Sequence, residues 1–271
     1  MRLTRMRQHP AASGTDGHPA GRRRPEGLRC APMDENLREI ALGLIAAALT
    51  AAAGWLGRSS LWRRRLHRKQ RFFGMPENSS CLLVVNRDPG VEEWKVAPDD
   101  VFALLELSGI IKDCGARADI VGHDTTRQGF GERTEFCLGG PASNRRTAAH
   151  LQSLLPGVSV VMDGEAPGVF AIGSERYRAE KGTVEHVLLA RLTGNQDGPG
   201  ARPVFLICGQ RPVDNQAAAR YLVRHHAKLA RKHGRNGTFC LLLKVVNSRA
   251  YGPDVVELVA DVTRAATTAA E

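Results

Sequence analysis

The sequence predicts an α/β domain with a largely parallel sheet and helices on both of its faces, preceded by one N-terminal transmembrane helix. Short runs of Val, Leu and Ile alternate with helix-length segments from residue 81 onward, and this alternation is typical of a parallel sheet. Several runs are apolar at every position, as expected for strands that are buried on both faces. A separate segment, residues 40–56, carries no charged residue and approaches the length that a membrane-spanning helix needs.

The apolar segment 40–56 has the flanks of a membrane anchor. Residues 33–39 before it are mainly acidic among their charged positions, and Trp55 and Trp62 lie where interfacial aromatic side chains are common. Only basic charges follow it before residue 72: Arg58, Arg63, Arg64, Arg65, Arg68, Lys69 and Arg71. Because basic flanks stay on the cytoplasmic side of a membrane, this asymmetry predicts a single-pass protein of the cell membrane with a cytoplasmic C-terminal domain.

Two other interpretations of this segment stay open. A signal peptide cleaved after the small residues at 51–53 would fit the pattern, and so would a buried or interfacial helix. Residues 1–32 are rich in Arg, Pro, Gly and Ala without periodicity, which predicts a disordered segment or a true start at Met33. The predicted organisation is therefore residues 1–32, then an anchor with its basic flank over residues 33–71, then a cytosolic α/β domain over residues 72–271.

Local signals predict each element of this domain in turn. The predicted strands are residues 81–86, 118–121, 135–138, 158–162, 169–172, 187–192, 203–208 and 239–246, with 169–172 and 187–192 forming a hairpin. The predicted helices are residues 98–114, 143–155, 215–233 and 254–266. Asp99 and Asp100 suit the first turn of the first of these helices, and Gly115 ends it.

The charge of the chain is unevenly distributed. Residues 1–71 hold 15 Lys and Arg against 5 Asp and Glu, whereas residues 72–271 hold 23 of each. The domain is therefore electrically balanced, which excludes a domain-wide nucleic-acid surface and leaves a basic cluster next to the membrane. The five cysteines of the domain form no zinc-type pair. An odd number of thiols, most of them in apolar runs, favours a reducing compartment.

Residues 134–151, TEFCLGGPASNRRTAAHL, predict an anion-binding site. An apolar strand runs into Gly139 and Gly140, and a helix capped by Ser143 or Asn144 follows. In an open α/β sheet, ligands lie beyond the carboxyl ends of the strands, where a helix N-terminus attracts anions. Glycines at that place let the backbone approach a phosphate closely.

Two further features extend this predicted site. Arg145 and Arg146 oppose the helix dipole in the first turn, which a bound anion would explain, although solvated arginines on a normally capped helix are the alternative. Residues 205–222 repeat the strand–turn–helix pattern, with Gly209 and Gln210 in the turn. If the two strands are neighbours, the two turns line one crevice and Gln210 faces the same ligand.

Two acidic residues are further candidates, one for a contact with the sugar of a nucleotide and one for catalysis. Asp124 follows the second predicted strand, where an acid often binds a ribose hydroxyl, although a turn-forming role is the alternative. The turn after the first strand reads NRDPG at residues 86–90, which is not the dinucleotide fingerprint GxGxxG. Glu135 near the start of the third strand is the candidate catalytic acid, and a solvent-facing Glu is the alternative.

Signatures of several common enzyme classes are missing from the sequence. It contains no GxSxG, no Walker A motif, no HExxH and no EF-hand loop, and no metal or cofactor is predicted. The helix 215–233 carries a basic stripe that would suit anionic lipid, with a solvated helix face as the preferred interpretation. The stripe comprises Arg220, Arg224, Lys228 and Arg231.

The short apolar segment, its basic flank and the strand–GGP–SN–helix unit resemble the membrane-tethered Rossmann-like proteins of high-GC actinobacteria. Residues 135–151 and 205–222 are also similar to the nucleotide-recognising Rossmannoid domains of SLOG and TIR type. The resemblance implies a Rossmann-like fold whose loops bind nucleotides, and TIR-type domains that cleave NAD use a Glu, which would correspond to Glu135. The NRDPG turn departs from the phosphate loop of such domains.

Three functional hypotheses follow from these residues. The first is a membrane-tethered domain that binds or senses a nucleotide-like anion, with Gly139, Gly140, Ser143, Asn144 and Arg145 near the phosphate and Asp124 and Gln210 near the sugar or base. Gly209 is a further ligand-binding candidate. The second is an enzyme that hydrolyses an N-glycosidic bond of NAD or a nucleotide with Glu135 as its acid. The third is a scaffold without a ligand that binds a partner protein. The sequence leaves enzymatic activity and the oligomeric state open.

Overall fold

The computed structural model describes residues 33–86, 95–125, 131–163, 166–193 and 201–269. Residues 1–32 and residues 87–90 of the NRDPG turn lie outside the described residues. In chain order the elements are α1 (Met33–Phe73), β1 (Ser80–Val85), α2 (Pro98–Asp113), β2 (Arg117–Gly122), β3 (Thr134–Leu138), α3 (Arg145–Leu154), β4 (Val158–Asp163), β5 (Ala166–Ile172), β6 (Glu175–Tyr177), β7 (Val184–Thr193), β8 (Pro203–Gly209), α4 (Pro212–Lys232), β9 (Phe239–Val246), α5 (Ser248–Tyr251), β10 (Val256–Asp261) and α6 (Thr263–Thr267).

The N-terminal helix α1 is long and apolar enough to span a membrane. The chain forms two compact units, one ending at Leu56 and the other beginning at Gly57. In the first unit, the large apolar side chains of α1 are exposed, among them Ile40, Leu44 and Leu49. Exposed leucines at every turn of a helix are unfavourable in water and favourable in a lipid bilayer.

The second unit is built on a seven-stranded sheet in the order β10-β9-β7-β8-β3-β1-β2. The strands β2, β1, β3 and β8 are parallel neighbours. Strand β7 is inserted antiparallel between β8 and β9, and β10 is antiparallel to β9. Five of the seven strands therefore run in one direction, which confirms a mostly parallel α/β sheet.

Both faces of this sheet are covered, because the central strands are apolar at consecutive positions. On one face Leu83, Phe136 and Phe205 belong to a core that includes residues of α2 and α4. On the other face, Leu82 and Cys137 belong to a second core that includes residues of α3, α6 and a small antiparallel sheet of β4, β5 and β6. The last turn of α1 supplies two buried rings, Phe72 and Phe73, to the first core.

Two predictions about individual elements are wrong. Residues 254–266 are not one helix: Val256–Asp261 is strand β10, and only Thr263–Thr267 is helical. The β-branched run VVELV at residues 255–259 favours a strand, and pairing with β9 satisfies its backbone. The predicted hairpin of residues 169–172 and 187–192 does not form either, because β5 pairs with β4 and β6 whereas β7 pairs with β8 and β9.

The two edge strands of the large sheet are solvent-exposed along much of their length. In β2 the first four residues are exposed, including Arg117 and Asp119, and Asp119 forms a 3.2 Å ion pair with Arg133. In β10, Glu257 and Asp261 are exposed beside the apolar residues of that strand. Both edges therefore carry charged side chains.

Candidate functional site

The carboxyl ends of β1, β3 and β8 lie side by side, and we call this margin of the sheet the carboxyl edge. The backbone N–H of Gly139 after β3 donates to the carbonyl of Ile207 in β8 at 2.9 Å. A Cβ placed on Gly140 would lie 3.6 Å from the carbonyl oxygen of Gly209. The turns after β3 and β8 therefore meet, as expected for neighbouring strands.

Gly139 is required by a close approach within the protein. Its φ is 98°, and a Cβ at this position would lie 2.8 Å from the Cβ of Asn86. A side chain here would clash with Asn86, the residue that follows β1, and would also strain the backbone. The glycine that the sequence suggested for a phosphate therefore makes room for Asn86.

The N-terminus of α3 is capped by residues of the protein itself. The Asn144 side chain accepts hydrogen bonds from the backbone N–H groups of Arg146 and Thr147 at 3.0 and 3.1 Å. It also donates to the carbonyl of Leu138 at 2.7 Å. The backbone N–H of Arg145 lies 3.4 Å from Nδ1 of His123. The donors of the first turn are thus already in use.

The other predicted ligand-binding residues occupy different surroundings. Ser143 turns back to donate to the carbonyl of Gly140 at 3.2 Å, whereas Arg145 and Asp124 are exposed. Gln210 accepts from the backbone N–H of His186 at 2.7 Å and donates to the carbonyls of residues 168 and 177 at 2.8 and 3.1 Å. Its side chain therefore joins the end of β8 to the small sheet.

A buried polar network ties β1, β8, α2 and α4 together at the carboxyl edge. Asp100 is fully buried and accepts from the side-chain amides of Asn86 at 2.9 Å and Asn215 at 2.7 Å. The backbone N–H of Gly209 donates to Oδ1 of Asn215 at 2.8 Å. Burial raises the pKa of Asp100 despite the two amide donors. Asn86 Oδ1 is buried without a hydrogen-bond partner among the described residues.

Sequence reasoning missed this network, although each member gave a local signal. Asn86 ends a predicted apolar strand, Asp100 lies in the first turn of a helix, and Asn215 begins the predicted helix 215–233. The hydrogen bonds between these side chains could not be predicted from the sequence, because Asp100 and Asn215 are far apart along the chain.

A cavity of about 310 Å³ opens beside this network, and we call it the carboxyl-edge pocket. Three cationic residues line it, Lys181, Arg211 and Arg249, together with the acidic Asp99. Arg211 is neutralised by the buried Glu185, with Nη1 and Oε1 2.6 Å apart. Lys181 and Arg249 form no ion pair with any described residue. The pocket therefore presents two uncompensated cations.

The helix α4 begins at this pocket with Pro212. The backbone N–H of Arg211 donates to Oδ2 of Asp214 at 2.7 Å, while Oδ1 of Asp214 is buried without a partner among the described residues. Burial, reinforced by the nearby charge of Glu185, raises the pKa of Asp214 to about 8. The site thus contains a carboxyl group that is largely protonated at neutral pH.

The candidate acid Glu135 lies away from this margin, near the start of β3 and beneath α3. Arg146 donates to its two carboxylate oxygens from Nε at 2.7 Å and Nη2 at 2.9 Å. His150 Nε2 and the Cys137 thiol each lie 2.9 Å from Oε1. Burial alone would raise the pKa of Glu135, but these partners outweigh it and lower the pKa to about 2. At neutral pH this carboxylate has no proton to donate.

Three of these side chains also form the one group of metal-ligand type among the described residues. One ligand atom each from Glu135, Cys137 and His150 lies within 4.8 Å of the others. Burial and the adjacent carboxylate raise the pKa of Cys137 well above its ordinary value, so the thiol stays protonated and donates to Glu135. With Arg146 on both carboxylate oxygens, the group forms a closed hydrogen-bonded cluster, which we call the Glu135 cluster.

No protein-family model matches this sequence, and no curated protein matches it.

Proposed function

We propose that this protein is a membrane-tethered domain that binds a nucleotide-like anion in the carboxyl-edge pocket. The observation that carries the proposal is the pair of uncompensated cations, Lys181 and Arg249, at the place where an open α/β sheet holds its ligands. The pocket volume of about 310 Å³ is at the lower end of small-molecule sites.

The polar groups around the pocket suit the two parts of a nucleotide. A phosphate bound by Lys181 and Arg249 would gain charge-assisted hydrogen bonds and would also lie near the N-terminus of α4. Asp99 on the same wall offers carboxylate oxygens to sugar hydroxyls. We therefore propose a phosphate position near the N-terminus of α4. The sequence had suggested the N-terminus of α3, but the first N–H donors of α3 are capped.

We also propose that the domain lies on the cytoplasmic side of the cell membrane. Support comes from the basic residues that follow the apolar part of α1 and from the acidic ones that precede it. The cysteines give a second argument: Cys81, Cys114, Cys137, Cys208 and Cys240 are all free and buried. Thiols that stay unpaired are typical of a reducing compartment.

The test is a thermal-shift screen of the full chain in zwitterionic detergent against nucleotides, NAD and sugar phosphates. A ligand at one hundred times its dissociation constant stabilises the folded state by about 2.7 kcal/mol, which corresponds to several degrees for a domain of this size. The ligand that gives the largest shift is then titrated against variants.

Three variants separate the alternatives. Lys181→Ala with Arg249→Ala should weaken binding at least about tenfold, because two charge-assisted contacts are lost. The control, Arg224→Ala with Lys228→Ala, removes the same charge from an exposed face of α4 and should leave the affinity unchanged.

Arg145→Ala tests the α3 site without disturbing the Glu135 cluster. If this variant alone loses binding, the ligand binds at the N-terminus of α3 and not in the carboxyl-edge pocket. A screen without any shift, on protein shown to be folded, would contradict the proposed function for those ligands and favour the scaffold hypothesis.

A further inference from the structure

A second cavity lies at the opposite margin of the sheet, where the parallel strands begin. Its volume is about 860 Å³, and we call it the basic pocket. Among the residues that the structure describes, no acidic residue lines this pocket. Six arginines line it: Arg64, Arg68, Arg71, Arg191, Arg202 and Arg235. Residues 72–271 are electrically balanced, whereas Arg64, Arg68 and Arg71 belong to the basic flank that precedes them. Such a cavity attracts anions.

Arg191 is the buried wall of the basic pocket. Only 2% of the residue is exposed, and its guanidinium donates from Nε to the carbonyl of Phe72 at 3.0 Å and from Nη1 to that of Gly237 at 2.9 Å. The guanidinium carbon also lies 5.8 Å from the ring centre of Phe72 and 5.9 Å from that of Phe205. These contacts hold the side chain in place but do not neutralise it.

The charge of Arg191 has no carboxylate partner within the described part of the chain. Burial lowers its pKa to about 10, which still leaves it charged at neutral pH. A buried charge without a counter-ion destabilises a fold strongly. A bound anion beside Nη2, the nitrogen that has no hydrogen-bond partner among the described residues, would offset this cost.

Three arginines on α1 extend the charge towards solvent. Arg64, Arg68 and Arg71 recur at helical spacing, so they share one face of the helix. None of them forms an ion pair with a described residue, in contrast to Lys69 on the same helix, which pairs with Asp113 at 2.9 Å. The α1 arginines that line the basic pocket are therefore without acidic partners in the described part of the chain.

We propose that the basic pocket binds a phosphate-bearing anion, either the headgroup of an anionic phospholipid or a soluble phosphate compound. Guanidinium groups suit phosphate because they donate two hydrogen bonds in parallel. The sequence favours the lipid source, since residues 57–63 alone separate Arg64 from the apolar segment. Leu61 and Trp62, which precede it, are exposed side chains of interfacial type.

This site is independent of the proposed function. The basic pocket and the carboxyl-edge pocket share no lining residue, and they lie at opposite margins of the sheet. A result at one pocket therefore leaves the other to be judged separately.

The experiment uses the full chain in zwitterionic detergent micelles. Inorganic pyrophosphate, a short-chain phosphatidylglycerol and a short-chain phosphatidylcholine are titrated in parallel, and the dissociation constants are obtained from tryptophan fluorescence and from the thermal midpoint. Pyrophosphate represents the soluble source, phosphatidylglycerol represents the lipid source, and phosphatidylcholine controls for the acyl chains.

A matched pair of variants locates the binding. Arg64→Gln with Arg71→Gln removes two charges from the pocket, and Arg58→Gln with Arg63→Gln removes two from the same helix outside it. All four side chains are exposed, so both variants should fold. We expect the pocket variant to weaken binding about tenfold or more and the control to change it less than twofold.

Arg235→Gln repeats the test on a wall of the pocket that does not belong to α1, and it should also weaken binding. Selective loss of phosphatidylglycerol binding in the pocket variants would establish a lipid headgroup, and selective loss of pyrophosphate binding would establish a soluble phosphate. The proposal is overturned if neither anion binds, or if the pocket and control variants lose affinity equally.

Discussion

Replacing Glu135 with Gln tests how strongly the Glu135 cluster stabilises the fold. The carboxylate is 3% exposed and accepts hydrogen bonds from Nε and Nη2 of Arg146. Its pKa falls from 4.5 to about 2, and a difference of this size corresponds to about 3 kcal/mol of stability. The loss measured when one partner of a buried ion pair is removed, about 3–5 kcal/mol, agrees with that magnitude.

The effect of this substitution depends on pH with a definite sign. Because folding lowers the pKa of Glu135, its contribution is complete above the ordinary value of 4.5 and disappears as the pH falls towards 2. The wild-type chain should therefore exceed the Glu135→Gln variant in stability at pH 7, and the two should converge near pH 2.5.

Thermal unfolding of the full chain in zwitterionic detergent, followed by circular dichroism, measures this difference. About 3 kcal/mol corresponds to a midpoint lower by roughly 6–12 °C for a domain of this size. Glu106→Gln is the control, since Glu106 forms a partly exposed pair with Arg220 at 2.8 Å and should cost less than about 1 kcal/mol.

An unchanged midpoint at pH 7 would refute this reasoning. So would a gap between wild type and variant that stays constant from pH 7 to pH 2.5, because the stabilisation would then not come from the ionised carboxylate.

Two further substitutions test the carboxyl edge. Asp214→Asn should stabilise the fold at pH 8 by on the order of 1 kcal/mol or more, seen as a higher thermal midpoint, and should have little effect at pH 4. The reason is that the raised pKa of about 8 makes Asp214 increasingly unfavourable for the folded state as the pH rises above 3.8. An equal effect at both pH values would contradict this. Gly209→Ala should destabilise by about 1–3 kcal/mol, since its Cβ would lie 2.8 Å from Oδ1 of Asn215. Gly140→Ala is the comparison, with its nearest neighbour at an ordinary 3.6 Å, and equal losses in the two alanine variants would refute the steric argument.

The alternation of strands and helices could be predicted because several buried strands contain continuous apolar runs. Residues 81–85 of β1 and 204–208 of β8 are apolar at every position, and helix-length segments follow them, as is typical of a parallel sheet. The antiparallel insertion of β7 could not be predicted in this way, because the apolar character of its central residues 187–190 does not specify the direction of the strand. The C-terminal strand β10 was missed because its alternation is short and its partner β9 is identified only in the fold.

The approach of two turns at the carboxyl edge was predictable, but the residues that line the carboxyl-edge pocket were not. The turns at Gly139 and Gly209 meet as the repeated strand–turn–helix pattern indicates. However, Asn144 and Gln210 use their polar groups within the protein. Lys181 and Arg249 lie in segments without periodicity, so only the fold brings them together.

The charged edges of the large sheet have a consequence for how many copies of this protein can coexist on one surface. The proposed membrane anchor would confine the domains to a plane, where collisions between identical sheets become frequent. An uncharged edge strand would then pair with its counterpart in the next copy and extend the sheet from molecule to molecule. Arg117 and Asp119 on β2, with Glu257 and Asp261 on β10, would lose water in such a pairing. These four side chains therefore disfavour sheet extension between copies of the chain.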